Sequence, residues 1–102
     1  MEHRQQKLWQ RGLGYFRIGS LEAAQACFDA ILARDPSHGP ARLRLSMIAA
    51  RRGRLDEAIA IAERILVDVP DRSEVLAHLA RCHLVSGQPL RAIAVAERAL
   101  LQ

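Results

Sequence analysis

Six stretches with apolar residues at helical spacing run along the chain, and short breaks marked by glycine or proline separate them. This spacing predicts α-helices that each bury one face. Alanine and leucine, present 17 and 14 times, are the strongest helix formers and dominate the composition. Because the breaks are short, we expect consecutive helices to pack as antiparallel neighbours. The predicted helices cover residues 4–18, 21–34, 39–52, 55–68, 73–86 and 89–101.

The chain matches itself when it is shifted by 34 residues, so three repeats of one helix pair are expected. Glycines are predicted to close the first helix of each pair in a left-handed conformation. Alanines let the two helices approach closely, and prolines end the second helix. The aligned positions are Gly19, Gly53 and Gly87; Ala24, Ala58 and Ala92; Ile31 and Ile65; and Pro36 and Pro70.

Local signals at the breaks predict how individual helices begin. Ser20 is expected to cap the helix that follows it with its hydroxyl. Asp71 and Glu74 have the spacing of a capping box. Pro89 stands where a first-turn proline is favourable. Together these signals place the predicted helix starts in the breaks between the apolar stretches.

The repeated positions resemble the tetratricopeptide repeat, whose pattern is W-x2-L-G-x2-Y, then A-x3-F, then P. The first repeat carries the pattern at Gly12, Tyr15, Gly19, Ala24, Phe28 and Pro36. The second repeat departs from it, since Ser46 and Ala49 stand where glycine and tyrosine are usual. The resemblance implies an all-α fold, a right-handed α-solenoid of three antiparallel helix pairs. We expect one domain over residues 1–102, with repeats at about 5–38, 39–72 and 73–102. The glycines and prolines that interrupt every half repeat disfavour a coiled coil.

The resemblance also implies a concave groove, lined by the first helix of each repeat, that binds a peptide or helix of another protein. Trp9 lies one position past the usual aromatic site, which Leu8 fills, so its ring is expected to face the groove. Phe16 and Leu84 are expected to pack mainly inside their own repeats. The predicted groove residues are Trp9, Leu13, Phe16, Arg17, Leu43, Arg44, Met47, Arg51 and Arg81. Of these, the arginines are expected to orient acidic residues of the partner.

One subclass of the family, the receptors for chaperone C-terminal tails, is not expected. Those receptors hold two carboxylates with lysine, asparagine and arginine side chains. The matching positions here carry Trp9, Leu13, Arg44, Glu74 and His78. The carboxylate of Glu74 would repel an acidic tail.

The net charge of +4 comes from 14 arginines and one lysine against 11 acidic residues. Such a balance suits acidic partners, and it also arises from codon bias in an alanine- and arginine-rich genome. Five arginines crowd the second repeat, which is the basis of a nucleic-acid-binding alternative. Apart from Trp9, Tyr15 and Phe16 of the first repeat, no aromatic residues that could stack on bases are expected near them, which disfavours that alternative. The five are Arg42, Arg44, Arg51, Arg52 and Arg54.

The motifs of catalysis are missing: no nucleophile elbow, HExxH or phosphate loop occurs. We therefore expect a non-catalytic protein without a cofactor. His78 and Cys82 are four residues apart, but two ligands do not make a metal site, so no metal is expected. Cys27 and Cys82 are expected to be free thiols. The chain shows no signal peptide and no membrane-spanning stretch, and we expect a cytoplasmic protein.

The last predicted helix supports an alternative function, self-association. Its apolar surface would normally be covered by a further repeat or by a polar capping helix. A two-fold dimer through the third repeat would cover it instead. The residues expected to form this contact are Ile93, Leu100 and Leu101.

Overall fold

The structure is a computed structural model that describes residues 3–101, and it consists of six α-helices over that range. All predicted helix boundaries agree with the observed ones to within one residue. The helices form an elongated molecule of 41 × 25 × 18 Å. No described helix is long and apolar enough to cross a membrane. The helices are α1 (His3–Arg17), α2 (Leu21–Arg34), α3 (Gly39–Arg51), α4 (Leu55–Asp68), α5 (Ser73–Val85) and α6 (Pro89–Leu100).

The turn after each first helix is built identically in the three repeats. Gly19, Gly53 and Gly87 have φ values of 82°, 79° and 81°, which confirms the predicted left-handed closure. The amide that follows each glycine donates to a carbonyl five residues earlier, at 2.9, 2.9 and 2.8 Å. These bonds are the 6→1 contacts of a Schellman motif. The 34-residue period is therefore a period of backbone geometry as well as of sequence.

Two of the predicted helix caps do not form. Ser20 stands at the N-cap of α2, but its ψ of 74° is outside the extended region and its hydroxyl makes no capping bond. The N-cap of α5 is Arg72, so Asp71 lies one residue too early to close a capping box with Glu74. The cap that does form is at α3, where Nδ1 of His38 accepts from the amide of Ala41 at 3.1 Å.

The core follows the repeat, with the small residues at the helix crossings. Ala24 and Ala58 have no exposed surface, and Ala92 is 7% exposed. Gly12 lets α1 approach α2, because a Cβ at this position would stand 2.6 Å from the ring of Phe28. Larger side chains fill two clusters, and Met47 packs against both. One cluster holds Phe16, Ala24, Phe28, Ile31, Ala41 and Ile48, and the other holds Leu43, Ala62, Ile65, Leu66, Val75, Leu76 and Leu79.

Candidate functional site

One face of the molecule, formed by α1, α3 and α5, carries a groove made of three joined depressions. The central basin has a volume of about 410 Å³. It shares Arg44 with the depression at the Trp9 end, and it shares Ala50, Arg51, His78 and Arg81 with the depression at the Val85 end. Each outer depression has a volume of about 220 Å³. The groove therefore runs from Trp9 through the basin to Val85.

The central basin is lined by Phe16, Arg44, Met47, Ala50, Arg51, His78 and Arg81. Two guanidinium groups lie against the ring of Phe16. The Cζ atom of Arg51 lies 4.1 Å from the ring centroid, and that of Arg44 lies 5.3 Å away. Arg51 also donates to the Phe16 carbonyl at 3.2 Å. Stacking on an aromatic face and hydrogen bonding to a carbonyl hold these cations without neutralising them.

Acidic side chains are confined to one end of the groove, where Glu74 lines the Trp9 end together with Arg44. No aspartate or glutamate lines the central basin or the Val85 end. Within residues 3–101, ion pairs join Arg42 to Asp68 and Arg54 to Glu57, and both pairs lie away from the basin arginines. The basin is therefore a positively charged depression at the middle of the groove.

A buried hydrogen-bond chain supports the floor of the basin. The Ser46 hydroxyl donates to the carbonyl of Ala58 at 2.6 Å and lies 2.8 Å from Nε2 of His78. Because the single hydroxyl proton goes to the carbonyl, His78 must donate its Nε2 proton to Ser46. Burial lowers the pKa of His78 below its ordinary value of 6.5, and the charge of Arg81 lowers it further. The chain therefore joins α3, α4 and α5 with a neutral imidazole.

The depression at the Val85 end is mainly apolar, and its other lining residues include Leu55 and Cys82. Val85 is 71% exposed at the rim, whereas Cys82 is 2% exposed at the floor. Burial raises the pKa of the Cys82 thiol more than the charge of Arg81 lowers it. The thiol therefore acts as a small apolar group in this depression.

Seven of the nine predicted groove residues line the three depressions: Trp9, Phe16, Leu43, Arg44, Met47, Arg51 and Arg81. Leu13 packs partly buried against the core, and Arg17 is exposed at the end of α1 without lining a depression. Phe16 and Leu43 are 8% and 4% exposed, so they are core residues that form the floor. The expectation that Leu84 packs inside its repeat is wrong, because this side chain is 61% exposed.

Trp9 contributes to the core as well as to the groove. Its ring packs against Phe28 and His38, with centroid distances of 5.5 and 5.7 Å. It is only partly buried, and it lines the Trp9 end of the groove together with Pro40 and Glu74. The tryptophan therefore links the core of the first repeat to the groove surface.

The five arginines of the second repeat do not form one patch. Arg44 and Arg51 lie in the groove, and Arg42 pairs with Asp68 at 3.4 Å. Arg52 and Arg54 line a separate depression, bounded by α2, α3 and α4, that also contains Asp29 and Glu57. This division removes the continuous basic surface that a phosphate backbone needs.

The His78–Cys82 pair has a structural role in this fold. Their Nε2 and Sγ atoms are 3.6 Å apart, and the Nε2 proton is directed to Ser46. Among residues 3–101, no group of three or more His, Cys, Asp or Glu side chains is placed to hold a metal ion. Both cysteines are free and buried, as predicted.

The apolar surface of the last repeat is open to solvent. Ile93 is 54% exposed, Leu100 is 83% exposed and Leu101 is 84% exposed. Leu90, at the start of the same helix, is 81% exposed. This surface lies on α6 and its end, away from the helices that line the groove.

The sequence patterns did not predict the hydrogen-bond chain beneath the basin or the cap supplied by His38. A signal for the first was present, because Ser46 replaces the glycine of the repeat pattern, and a hydroxyl at a close helix crossing needs a partner. The partner, His78, comes from the next repeat, 32 residues later. A single-repeat pattern does not contain that contact.

Family models describe the same repeat. Two models of the tetratricopeptide repeat match the chain, one over residues 10–73 and the other over residues 49–102. Each match spans more than half of the chain. The chain belongs to the tetratricopeptide repeat family. The two matches overlap in the second repeat, and together they cover about half of α1 and all of α2 to α6.

Solved structures share this tetratricopeptide repeat (TPR) fold. The second TPR of Spaghetti (RPAP3), bound to the HSP90 peptide SRMEEVD, matches with a TM-score of 0.85 and 20% identity over 97% of this chain and 92% of that chain. The Yersinia enterocolitica type III secretion translocator chaperone SycD matches with a TM-score of 0.88 and 22% identity over 97% and 75%. MamA matches with a TM-score of 0.82 and 19% identity, and this chain spans 56% of it. A search of curated proteins found no match. At these identities, the structural likeness establishes the fold.

Proposed function

We propose that this TPR protein is a non-catalytic interaction module that binds a peptide or helix of a partner protein in the groove of α1, α3 and α5. The observation that carries the proposal is the continuity of the groove from Trp9 to Val85 through the central basin. Trp and Arg are the residue types most enriched at binding hot spots, and both line this groove.

Peptide binding by proteins of similar fold supports the same class of partner. The RPAP3 neighbour was solved with an HSP90 peptide, and a neighbour from yeast Sti1 was solved in complex with pHsp70. Neither partner is proposed for this chain. The positions that hold two carboxylates in chaperone-tail receptors carry Leu13 and Glu74 here, among others.

A library of displayed peptides, selected against the whole protein, tests the proposal. Selected peptides are then measured against two variants with equal added volume. Ala50→Trp fills the junction of the central basin and the Val85 end, where Ala50 lines both depressions. Ala60→Trp places the same side chain on the exposed surface of α4.

Groove binding predicts that Ala50→Trp weakens peptide affinity by at least about tenfold, whereas Ala60→Trp leaves it within about twofold. Equal affinities for the two variants would place binding elsewhere. Should Ala50→Trp fail to fold, amide chemical shifts of the unmodified protein with bound peptide locate the contact without any substitution.

Self-association through the third repeat is the second candidate function. The exposure of Leu90, Ile93 and Leu100 on one helix favours it, since a second copy would cover this apolar surface. A two-fold arrangement would bring α6 against its own copy. The two candidates use different faces, so each can be tested separately.

A further inference from the structure

We infer that the groove recognises a partner segment in which an anionic side chain and an aliphatic side chain lie close together, the anion in the central basin and the aliphatic group at the Val85 end. This inference rests on the proposed groove function and specifies the chemistry of its ligand. The anion is a carboxylate or a phosphorylated side chain, since both offer oxygen atoms to guanidinium groups.

The positive charge of the central basin favours an anionic ligand. Arg44, Arg51 and Arg81 line one depression in which no acidic side chain is present. Arg51 and Arg81 are exposed, so water and salt screen part of their mutual repulsion, and an anion that enters the basin is attracted by all three guanidinium groups. An acidic ligand relieves that repulsion, whereas a neutral one does not.

Two of these arginines are held in place before any ligand arrives. Arg51 is fixed by the Phe16 ring at 4.1 Å and by the Phe16 carbonyl at 3.2 Å. Arg44 lies over the same ring, and its Nη1 is 3.7 Å from Sδ of Met47. Side chains that are already ordered lose less conformational entropy when they bind an anion.

The adjoining depression differs in character from the basin. The Val85 end is mainly apolar: Leu55, Cys82 and Val85 line it beside the residues that it shares with the basin, among them Arg51 and Arg81. It shares four residues with the basin, so the two depressions are immediate neighbours. Alternate residues of an extended chain point the same way about 7 Å apart, a spacing that suits two adjoining depressions.

The probes are four capped tripeptides with sequences Leu-Ala-Glu, Leu-Ala-Gln, Ala-Ala-Glu and Leu-Ala-phosphoserine, each also made in reverse order. Binding to the isotope-labelled full chain is followed by amide chemical shifts. For the glutamate peptide and for the phosphoserine peptide, we expect one of the two residue orders to bind more tightly. That peptide should shift the amides of Ala50, Arg51 and Val85. Which of the two anionic peptides binds more tightly identifies the source of the anion.

We expect replacement of glutamate by glutamine, and of leucine by alanine, each to weaken affinity by about tenfold or more. Arg51→Gln should reduce the affinity of the anionic peptide similarly. The matched control Arg52→Gln removes the neighbouring arginine, which lines a different depression, and should change affinity by less than about twofold.

Equal affinities of the glutamate and glutamine peptides would overturn the inference. An affinity that stays unchanged when leucine is replaced by alanine, or the absence of any shift of the groove amides with every tripeptide, would overturn it as well. Library-selected peptides that bind the groove but lack any acidic residue would leave the proposed function standing and remove this inference alone. Selected peptides that bind outside the groove would remove both.

Discussion

The Ser46 hydroxyl lies 2.8 Å from Nε2 of His78, and both side chains are at least 96% buried. This contact crosses from the first helix of one repeat to the first helix of the next. The same hydroxyl donates to the Ala58 carbonyl, so three helices meet at one oxygen atom. Buried polar groups are costly when unpaired, so this oxygen fixes the relative position of the two repeats that form the groove.

Ser46→Ala should therefore destabilise the protein by about 1–3 kcal/mol, because the buried imidazole N–H loses its acceptor. Urea unfolding followed by circular dichroism measures the change. Ser37→Ala is the control, since its hydroxyl bonds only to Asp35 at an exposed turn and its loss should cost about 0.5 kcal/mol or less. An unchanged midpoint for Ser46→Ala would show that the buried contact contributes nothing.

Stability should fall as the pH is lowered below 6.5, because burial lowers the pKa of His78 in the folded chain. In the unfolded chain this imidazole takes up a proton near its ordinary pKa, while the folded chain does not. The unfolded state then binds more protons, so the free energy of unfolding decreases until the pH reaches the folded pKa. Well above pH 6.5 the imidazole is neutral in both states, and His78 contributes no slope.

His78→Gln removes this titration and should flatten the stability profile between pH 6.5 and pH 5 relative to the parent protein. His3→Gln makes the same substitution at an exposed position and is the matched control. Denaturant unfolding at a series of pH values gives both curves. A His78→Gln profile as steep as that of the parent would contradict the assignment.

Two glycines of α1 should respond oppositely to alanine. At Gly12 the new Cβ would meet the Phe28 ring at 2.6 Å, and Phe28 is fully buried, so Gly12→Ala should cost about 1–3 kcal/mol. At Gly14 nothing lies within 4 Å of a Cβ, so Gly14→Ala should stabilise the helix by about 0.5–1 kcal/mol. Thermal unfolding of the pair tests the difference, and shifts of the same sign would refute it.

The helices could be predicted from sequence because their signals are local and occur three times. Gly19 and its two equivalents mark each turn, and alanine marks each crossing. The groove was predicted less completely, because burial depends on the neighbouring repeat. Leu43 has the spacing of a groove residue, yet α4 and α5 cover it, whereas Leu84 is left 61% exposed.

Trp9→Ala should weaken partner binding while leaving the protein folded. Its ring is partly exposed, so the loss of packing on Phe28 should cost roughly 2 kcal/mol, below the typical 3–5 kcal/mol for a buried aromatic residue. Trp9→Phe keeps much of that packing and separates the two effects. Calorimetric titration with a selected peptide gives the affinity, and thermal unfolding gives the stability. Unchanged affinity of a folded Trp9→Ala variant would exclude the Trp9 end from the contact.

Self-association through α6 predicts that the double change of Leu100 and Leu101 to glutamate yields monomers, because two charges per copy cannot be buried in an apolar contact. Light scattering behind a sizing column, at several concentrations, gives the particle mass. The parent protein should be a dimer and the variant a monomer. A mass that the double change does not alter would exclude this interface.

We propose partner binding at the face formed by α1, α3 and α5. Amide chemical shifts of the labelled protein, titrated with a library-selected peptide, test this binding site directly. We expect the largest shifts on residues around the central basin, such as Arg44, Ala50 and Arg81, with little change on α2, on α6 and on α4 beyond Leu55, which lines the Val85 end. Largest shifts on α2, α4 or α6 would contradict it.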